Sequence, residues 1–173
     1  MIKVLVTGGS GFIGSNILQR LVKNKNIILQ SVCFKNKINI DHSNKIKNFN
    51  CDLRIKKNCK VVTKNIDVVI MCSANSSGAK VMRSNPMEHF NPNIIMNINM
   101  LEAAYENKVK KFIFLSSNAI YPVSKRAMKE EDENTIFFEG YFIAAWMKKI
   151  SEIACEIYSK KLVNKMVTII VRP

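Results

Sequence analysis

The sequence has no long apolar run and few of the residues that hold metals or form disulfides. No segment of its 173 residues approaches the roughly 18–20 apolar residues that a membrane-spanning helix needs. The N-terminus lacks the apolar segment and cleavage site of a signal peptide. The two histidines, His42 and His89, are far apart, and the five scattered cysteines form no CxxC pair. We therefore expect a cytoplasmic chain with free thiols, no membrane span and no metal site.

Acidic residues are also scarce. The sequence has 27 Lys and Arg against 13 Asp and Glu, which gives a formal net charge of +14. Such an excess is compatible with a nucleic-acid or membrane surface. However, the basic residues are mostly lysine and are spread along the whole chain rather than clustered. We interpret them as a solvated basic surface and expect no nucleic-acid partner.

Apolar, β-rich runs alternate with helical patterns along the chain. This alternation predicts βαβ units and a doubly wound parallel sheet of the Rossmann type. The predicted strands are Ile2–Gly8, Ile27–Phe34, Lys47–Leu53, Asp67–Ala74, Lys110–Ser117 and Val167–Pro173. The predicted helices are Phe12–Asn24, Lys56–Lys64, Pro86–Asn107 and Glu139–Lys161. The length favours one domain, residues 1–173.

The few glycines are concentrated in "TGGSGFIGSN", directly after the first predicted strand. Gly8 permits a tight turn, Gly11 lets a pyrophosphate approach the backbone, and Gly14 lets the next helix pack closely on the sheet. The N-terminus of that helix then offers free N–H groups and a partial positive charge to phosphates. The segment predicts a dinucleotide-binding site.

The end of the second predicted strand bears on which dinucleotide binds. An acidic residue there would bind the ribose 2′-hydroxyl of NAD, whereas a basic one suits the 2′-phosphate of NADP. The sequence has "CFKNK", with Lys35 and Lys37 and no acid, so it favours NADP over NAD. Asp52 is a candidate partner for the adenine amino group, with a loop-capping role as the alternative.

These motifs and several others together resemble the extended short-chain dehydrogenase/reductases, the NAD(P)-dependent epimerases and dehydratases of nucleotide sugars. The others are "CDL", "DVVIMCSA", "NIIMNINMLEAA", "FIFLSSNAIYP", "GYFIAAW" and "VRP". The segment from Cys72 to Ala104 is most similar to the GDP-fucose synthase branch. The resemblance assigns the cofactor to Gly8, Gly11, Phe12, Ile13, Gly14, Lys35, Asp52, Leu53, Cys72, Ser73, Ala74 and Asn93.

The resemblance also implies a catalytic Ser, Tyr and Lys. Ser117 matches the serine and Tyr141 the tyrosine whose phenolate moves a proton at a sugar oxygen. A neighbouring ammonium lowers the pKa of such a phenol, and the lysine should stand four residues after the tyrosine. That position is Ala145, so we expect impaired catalysis. Lys148 is the candidate substitute.

Three further expectations follow from the resemblance. A cysteine of the GDP-fucose synthase pattern is replaced by Ala119, so a plain reductase, a 4-epimerase or a dehydratase fits as well as a 3,5-epimerase. The resemblance implies a length of about 300 residues or more, so we expect the chain to lack most of the substrate-binding part. The helices near 86–107 and 139–161 imply a homodimer. The alternative function is a non-catalytic dinucleotide-binding module that senses or scaffolds.

Overall fold

A six-stranded parallel sheet forms the centre of the computed structural model, which describes residues 1–76 and 78–173 except the side chains of residues 79 and 83. The order of the strands is β3-β2-β1-β4-β5-β6, and each neighbouring pair is parallel. The strands are β1 (Ile2–Thr7), β2 (Ile27–Cys33), β3 (Lys47–Asn50), β4 (Val68–Met71), β5 (Lys111–Leu115) and β6 (Val167–Val171). The prediction of a Rossmann-type α/β fold is confirmed.

Helices pack on both faces of the sheet. They are α1 (Phe12–Leu21), α2 (Lys56–Val62), α3 (Gly78–Ser84), α4 (Pro86–Glu106) and α5 (Phe142–Lys160). One apolar core joins residues of α2, α4 and α5 to the sheet around Phe112 and Phe114. A second core joins Leu18 of α1 to Val4 and Val6 on the opposite face. Burial on both faces explains why the central strands β1, β4 and β5 are rich in apolar residues, whereas the edge strand β3 is mostly polar.

The observed elements differ from the predicted ones mainly at their ends. All six strands are shorter than predicted, because their last residues turn away from the ladder into loops. The α3 helix was not predicted at all. The last helix begins at Phe142 rather than Glu139, because residues Glu139–Tyr141 form a separate 3-10 turn.

The strand order places a topological switch point between β1 and β4. The chain moves from β1 to β2 and β3 on one side and then crosses to β4 on the other side. Thr7 at the end of β1 is level with Val32 of β2 and Met71 of β4. Ligands of open parallel sheets bind in the crevice at the carboxyl ends of the strands at such a point.

Candidate functional site: a dinucleotide cleft at the strand ends

The glycine turn after β1 has the close packing that the sequence predicted. Gly8 has a φ of +67°, which disfavours a side chain. A Cβ at residue 14 would lie 2.2 Å from the carbonyl oxygen of Gly8, so α1 sits directly against the turn only because Gly14 has none. The Gly8 N–H donates to Val32 O at 2.8 Å, which fixes the turn to β2.

The first turn of α1 has no side chain that satisfies its free backbone amides. Its N-cap is Gly11, which cannot cap them, and the first turn of this helix carries no acidic residue. Phe12 and Ile13 follow and are both exposed. An uncapped N-terminus of this kind suits a phosphate group.

Thr7 joins the glycine turn to β4 and was not predicted as a site residue. Its hydroxyl oxygen accepts hydrogen bonds from the backbone N–H groups of Cys72 at 3.1 Å and Ser73 at 3.0 Å. The same hydroxyl donates to the Met71 sulfur at 3.2 Å. Thr7 is fully buried, so this one side chain sets the spacing between the two sides of the switch point.

Asn75 and Asn93 join the loop after β4 to α4. The Asn93 amide accepts from the Asn75 N–H at 2.7 Å and donates to Asn75 O at 3.1 Å. Pro92 lies inside α4 and has no N–H to give to Glu88 O four residues earlier. The Asn75 side chain donates to Glu88 O instead, at 3.1 Å. Asn93 therefore shapes the site by holding this loop.

These elements enclose a cleft of about 620 Å³. Eight of the predicted cofactor residues line it, namely Gly8, Gly11, Lys35, Asp52, Leu53, Cys72, Ser73 and Ala74. Phe12, Ile13, Gly14 and Asn93 are outside its described lining and contribute through the turn, the helix start and the loop. Ser117 and Tyr141 are also outside the described lining. The volume is within the range typical of small-molecule sites.

Two cations and an aromatic ring stand where β2 and β3 end. The Lys35 ammonium is 5.8 Å and the Arg54 guanidinium 5.7 Å from the centre of the Phe34 ring. Arg54 was not predicted, yet it lines the cleft and pairs with Asp52 through its Nη2 at 2.6 Å. The side-chain hydrogen bond from Arg54 lowers the pKa of Asp52. This carboxylate is therefore already engaged by a cation.

The two predicted catalytic side chains are held by different elements. Ser117 follows β5, and its Oγ accepts from the Ala119 N–H at 3.1 Å, which caps a short 3-10 turn. Tyr141 stands immediately before α5 and is 53% exposed, with its ring edge against Phe138 at 5.7 Å between ring centres. Ser116, next to Ser117, has a buried hydroxyl with no hydrogen-bond partner among the described residues.

Lys148 extends from α5 to the carboxyl end of β5. Its ammonium donates to Leu115 O at 2.6 Å and lies 5.0 Å from the centre of the Phe114 ring. Burial lowers the pKa of Lys148, while Cys72 and Glu152 act in the opposite direction. The Lys148 charge also acts on His89, whose pKa is lowered by burial and by this charge.

Ala145, the position where the resemblance implies a lysine, is fully buried. A lysine at this position would have to place its side chain in the packed interior. That the missing ammonium belongs at residue 145 stays a prediction. The prediction counted four residues from Tyr141 as though the helix ran through it, whereas Tyr141 is the N-cap of α5.

An ion network fixes α5 to the end of β6. Arg172 donates to both carboxylate oxygens of Glu152, from Nε at 3.0 Å and from Nη2 at 2.8 Å. It also donates to the Tyr121 hydroxyl at 3.0 Å and to Glu133. Glu133 in turn accepts from Lys149 at 2.6 Å, so the loop between β5 and α5 is held by the same network.

The part of the chain that the structure describes has neither a metal cluster nor a membrane span. No group of three or more His, Cys, Asp or Glu among the described residues could hold a metal ion. No helix in that part of the chain is long and apolar enough to cross a bilayer.

Burial raises the pKa of the Cys72 thiol to about 12, so this cleft residue is a poor nucleophile at neutral pH.

The glycine turn, the switch-point cleft and the strand order together correspond to a known protein family. The family model described as the NAD dependent epimerase/dehydratase family matches residues 4–173. The chain belongs to this family of enzymes. The resemblance seen in the sequence is therefore confirmed at the level of the family.

Several curated relatives are similar to this epimerase/dehydratase family member. GDP-mannose 3,5-epimerase 1 of Oryza sativa subsp. indica is 35% identical over 136 residues, which make up 76% of this chain and 36% of the relative. GDP-L-fucose synthase of Escherichia coli (strain K12) is 27% identical over 165 residues, 92% of this chain and 46% of the relative. The chain spans less than half the length of these two relatives. The putative UDP-glucose 4-epimerase of Methanocaldococcus jannaschii is 36% identical over 122 residues, 68% of this chain and 39% of the relative.

Solved structures of the family have the same fold. The UDP-glucose 4-epimerase of Thermotoga maritima, solved with UDP-glucose, has a TM-score of 0.82 at 21% identity and covers 99% of this chain. The UDP-glucose 4-epimerase of Thermus thermophilus, solved with NAD, has a TM-score of 0.82 at 23% identity. This chain covers 55% and 54% of those two chains. Because the names of the relatives include both GDP- and UDP-linked sugars, the GDP-fucose synthase branch stays a prediction.

Proposed function

We propose that this chain is the cofactor-binding part of an enzyme that transfers hydride at a carbon of a nucleotide sugar, as an epimerase, dehydratase or reductase. Membership of the NAD dependent epimerase/dehydratase family supports the enzyme class. The observation that carries the cofactor is the cleft, which places the glycine turn, the start of α1 and the ends of β2 to β4 around one space. Residues 1–173 form its Rossmann domain in this proposal.

The residues present fit a nicotinamide dinucleotide. The turn at Gly8, Gly11 and Gly14 and the amides at the start of α1 would hold the pyrophosphate. The loop after β4, fixed by Thr7, would lie beside the middle of the cofactor. When bound, the nicotinamide supplies or accepts the hydride.

NADP is the cofactor that we propose, with NAD as the alternative. Lys35 and Arg54 bring two positive charges to the end of β2, where the 2′-position of the adenosine ribose is bound in Rossmann domains. Asp52 lines the same region, but its carboxylate is paired with Arg54. A phosphate would gain charge-assisted hydrogen bonds from both cations.

In the proposed reaction Ser117 would hydrogen-bond the sugar oxygen at which the proton moves, and Tyr141 is the sequence candidate for the acid or base. The exposed position of Tyr141 leaves its ring open to a ligand. The residue at position 145 carries no charge, so the proposal includes impaired proton transfer. A phenol without a nearby ammonium is a weak base at neutral pH because its usual pKa is about 10.

The first experiment is a titration of the purified chain with NADPH and NADH, followed by nicotinamide fluorescence. We expect both to bind and NADPH to bind more tightly. Replacing Lys35→Glu should weaken NADPH by about 10–100-fold, the cost of one charge-assisted hydrogen bond, and should affect NADH much less. The matched control is Lys25→Glu, an exposed charge reversal outside the described lining of the cleft.

The Gly14→Ala variant tests whether the cofactor sits on the glycine turn. Its methyl group would lie 2.2 Å from the Gly8 carbonyl oxygen, so α1 would have to move off the turn and both cofactors should lose affinity. Failure of a folded chain to bind either cofactor would refute the cofactor assignment. Equal loss of NADPH and NADH with Lys35→Glu would refute the preference alone.

We also propose that the chain works in the cytoplasm as a homodimer and acts on a nucleotide sugar. Apolar side chains are exposed on the two helices that the resemblance places at a dimer interface, among them Ile95 on α4 and Ile153 and Ile157 on α5. The alternative, a non-catalytic sensing or scaffolding module, has the same cleft. It would be favoured if cofactor binds but no GDP-, UDP- or dTDP-linked 4-keto sugar is turned over.

A further inference from the structure

Lys148 differs from the other lysines of α5 in where its ammonium lies. Lys149 pairs with Glu133, and Lys160 pairs with Glu156 one turn earlier at the exposed end of the helix. Lys148 instead reaches into the protein and donates to Leu115 O, directly before Ser116 and Ser117. The ammonium is thus held at the strand end that also carries the predicted catalytic serine.

The groups around Lys148 come from three different elements. Cys72 follows β4, His89 is in α4, and Glu152 is one turn further along α5. Glu152 is already engaged by Arg172. None of these three described neighbours is a phenol.

The helix geometry limits where a phenol could meet this ammonium. On the N-terminal side of Lys148 its helix neighbours are residues 144 and 145, at i−4 and i−3. Ala145 is fully buried, whereas Ala144 is partly exposed. Tyr141 stands seven residues before Lys148, about 10 Å along the axis at 1.5 Å per residue, and outside the helix itself.

We propose that position 144 is the place from which a phenol would contact the Lys148 ammonium. Because residue 144 is alanine, the chain has the serine and the ammonium of a proton-transfer site but lacks the phenol whose pKa the ammonium would lower. The catalytic interpretation of this inference rests on the proposed function, whereas the contact between position 144 and Lys148 does not depend on that function. This inference is an alternative to the assignment above, in which Tyr141 is the acid or base and the missing charge is at residue 145.

The chemical consequence concerns the proton alone. Oxidation of a sugar hydroxyl breaks an O–H bond and a C–H bond: the hydride, with its two electrons, goes to the nicotinamide, and the proton needs a base. A phenolate beside an ammonium is such a base at neutral pH. Without it the substrate proton has no assisted acceptor, while the cofactor cleft is unaffected.

The test introduces the phenol and measures its ionisation by near-ultraviolet difference absorbance. We expect the introduced phenol in Ala144→Tyr to titrate at least about 1 unit below its usual value near 10, because an opposite charge stands within a few ångströms. In the double variant Ala144→Tyr with Lys148→Met the shift should disappear. Spectra of the parent chain and of Lys148→Met alone remove the contribution of the native tyrosines.

Two further variants keep the result interpretable. Glu156→Tyr places a phenol on the exposed side of the same helix, and its ionisation should not respond to Lys148→Met. If the ring at 144 prevents folding, Ala144→Cys introduces a much smaller acidic group. Its thiol should be alkylated faster at neutral pH in the single variant than in the double variant that also carries Lys148→Met, because the ammonium favours the thiolate.

The titration needs neither cofactor nor substrate, so it separates this inference from the proposed function. A lowered phenol pKa that depends on Lys148 supports the inference even in a chain that binds no NADPH. An introduced phenol or thiol at 144 whose ionisation is the same with and without Lys148 would overturn it.

Discussion

The ion pair between Glu152 and Arg172 offers a direct test of how α5 is held on the sheet. The Glu152 side chain is 3% exposed and the Arg172 side chain 16% exposed, and two hydrogen bonds join them. The change Glu152→Gln keeps the shape but removes the charge. It also places an amide NH₂ group where one carboxylate oxygen accepted a hydrogen bond from the guanidinium.

The expected cost can be worked from these contacts. Removing one partner of a buried ion pair costs about 3–5 kcal/mol, and one charge-assisted hydrogen bond about 1.5–3 kcal/mol. Arg172 keeps Glu133 and the Tyr121 hydroxyl, so we expect the lower end, about 2–3 kcal/mol. With a urea m value of about 2 kcal/mol/M, the unfolding midpoint should fall by about 1–1.5 M.

Glu156→Gln is the matched control because it lies one turn further along the same helix. Its side chain is 55% exposed and its contact with Lys160 is 3.5 Å long, so its loss should cost less than about 0.5 kcal/mol. Urea unfolding followed by circular dichroism measures both variants. Equal midpoints for the two variants would refute the claim that the Arg172 network, rather than helix charge in general, fixes α5.

Two other predictions concern Lys148 and the proposed dimer. The pKa of Lys148 in the folded chain lies below the usual pKa of lysine, so protonation of this amine favours the unfolded chain. The unfolding free energy of the parent chain, measured relative to that of Lys148→Met, should therefore rise with pH. The rise should extend from the pKa of Lys148 in the folded chain to its pKa in the unfolded chain, about 10.4. A difference that is flat or falls over that range would contradict the burial of the ammonium. For the dimer, Ile153→Lys with Ile157→Lys should lower the molar mass measured by sedimentation equilibrium, whereas Val61→Lys on α2, another exposed apolar side chain, should not. A parent chain that sediments as a monomer would end the dimer proposal.

The strand pattern and the glycine turn could be predicted because each depends on residues close in sequence. Apolar runs rich in Val and Ile indicated the strands other than β3, which has a weaker pattern, and the spacing of Gly8, Gly11 and Gly14 indicated the turn. The α3 helix was missed because its seven residues include a glycine and few apolar positions. Its pattern did not differ enough from that of a loop.

Site residues that depend on long-range contacts could not be predicted in the same way. Thr7 matters because its hydroxyl meets the chain 65 and 66 residues later. The role proposed for Lys148 depends on where α5 begins. The helix was predicted to begin at Glu139 but begins at Phe142, and this shift of about one turn changes which positions are expected to face the strand ends. A 3-10 turn before a helix has no clear sequence signal, so the phase of that helix had to come from the structure.

The hydrogen bond from Asn75 to Glu88 O has a consequence for how the family can vary. Asn75 donates the hydrogen bond to Glu88 O that Pro92 cannot donate, so the asparagine compensates for the proline. An ordinary residue at 92 would restore the helix bond to Glu88 O, so the carbonyl would no longer depend on Asn75 for a donor. Among homologues the two positions should therefore change together: a hydrogen-bond donor at position 75 should accompany proline at position 92.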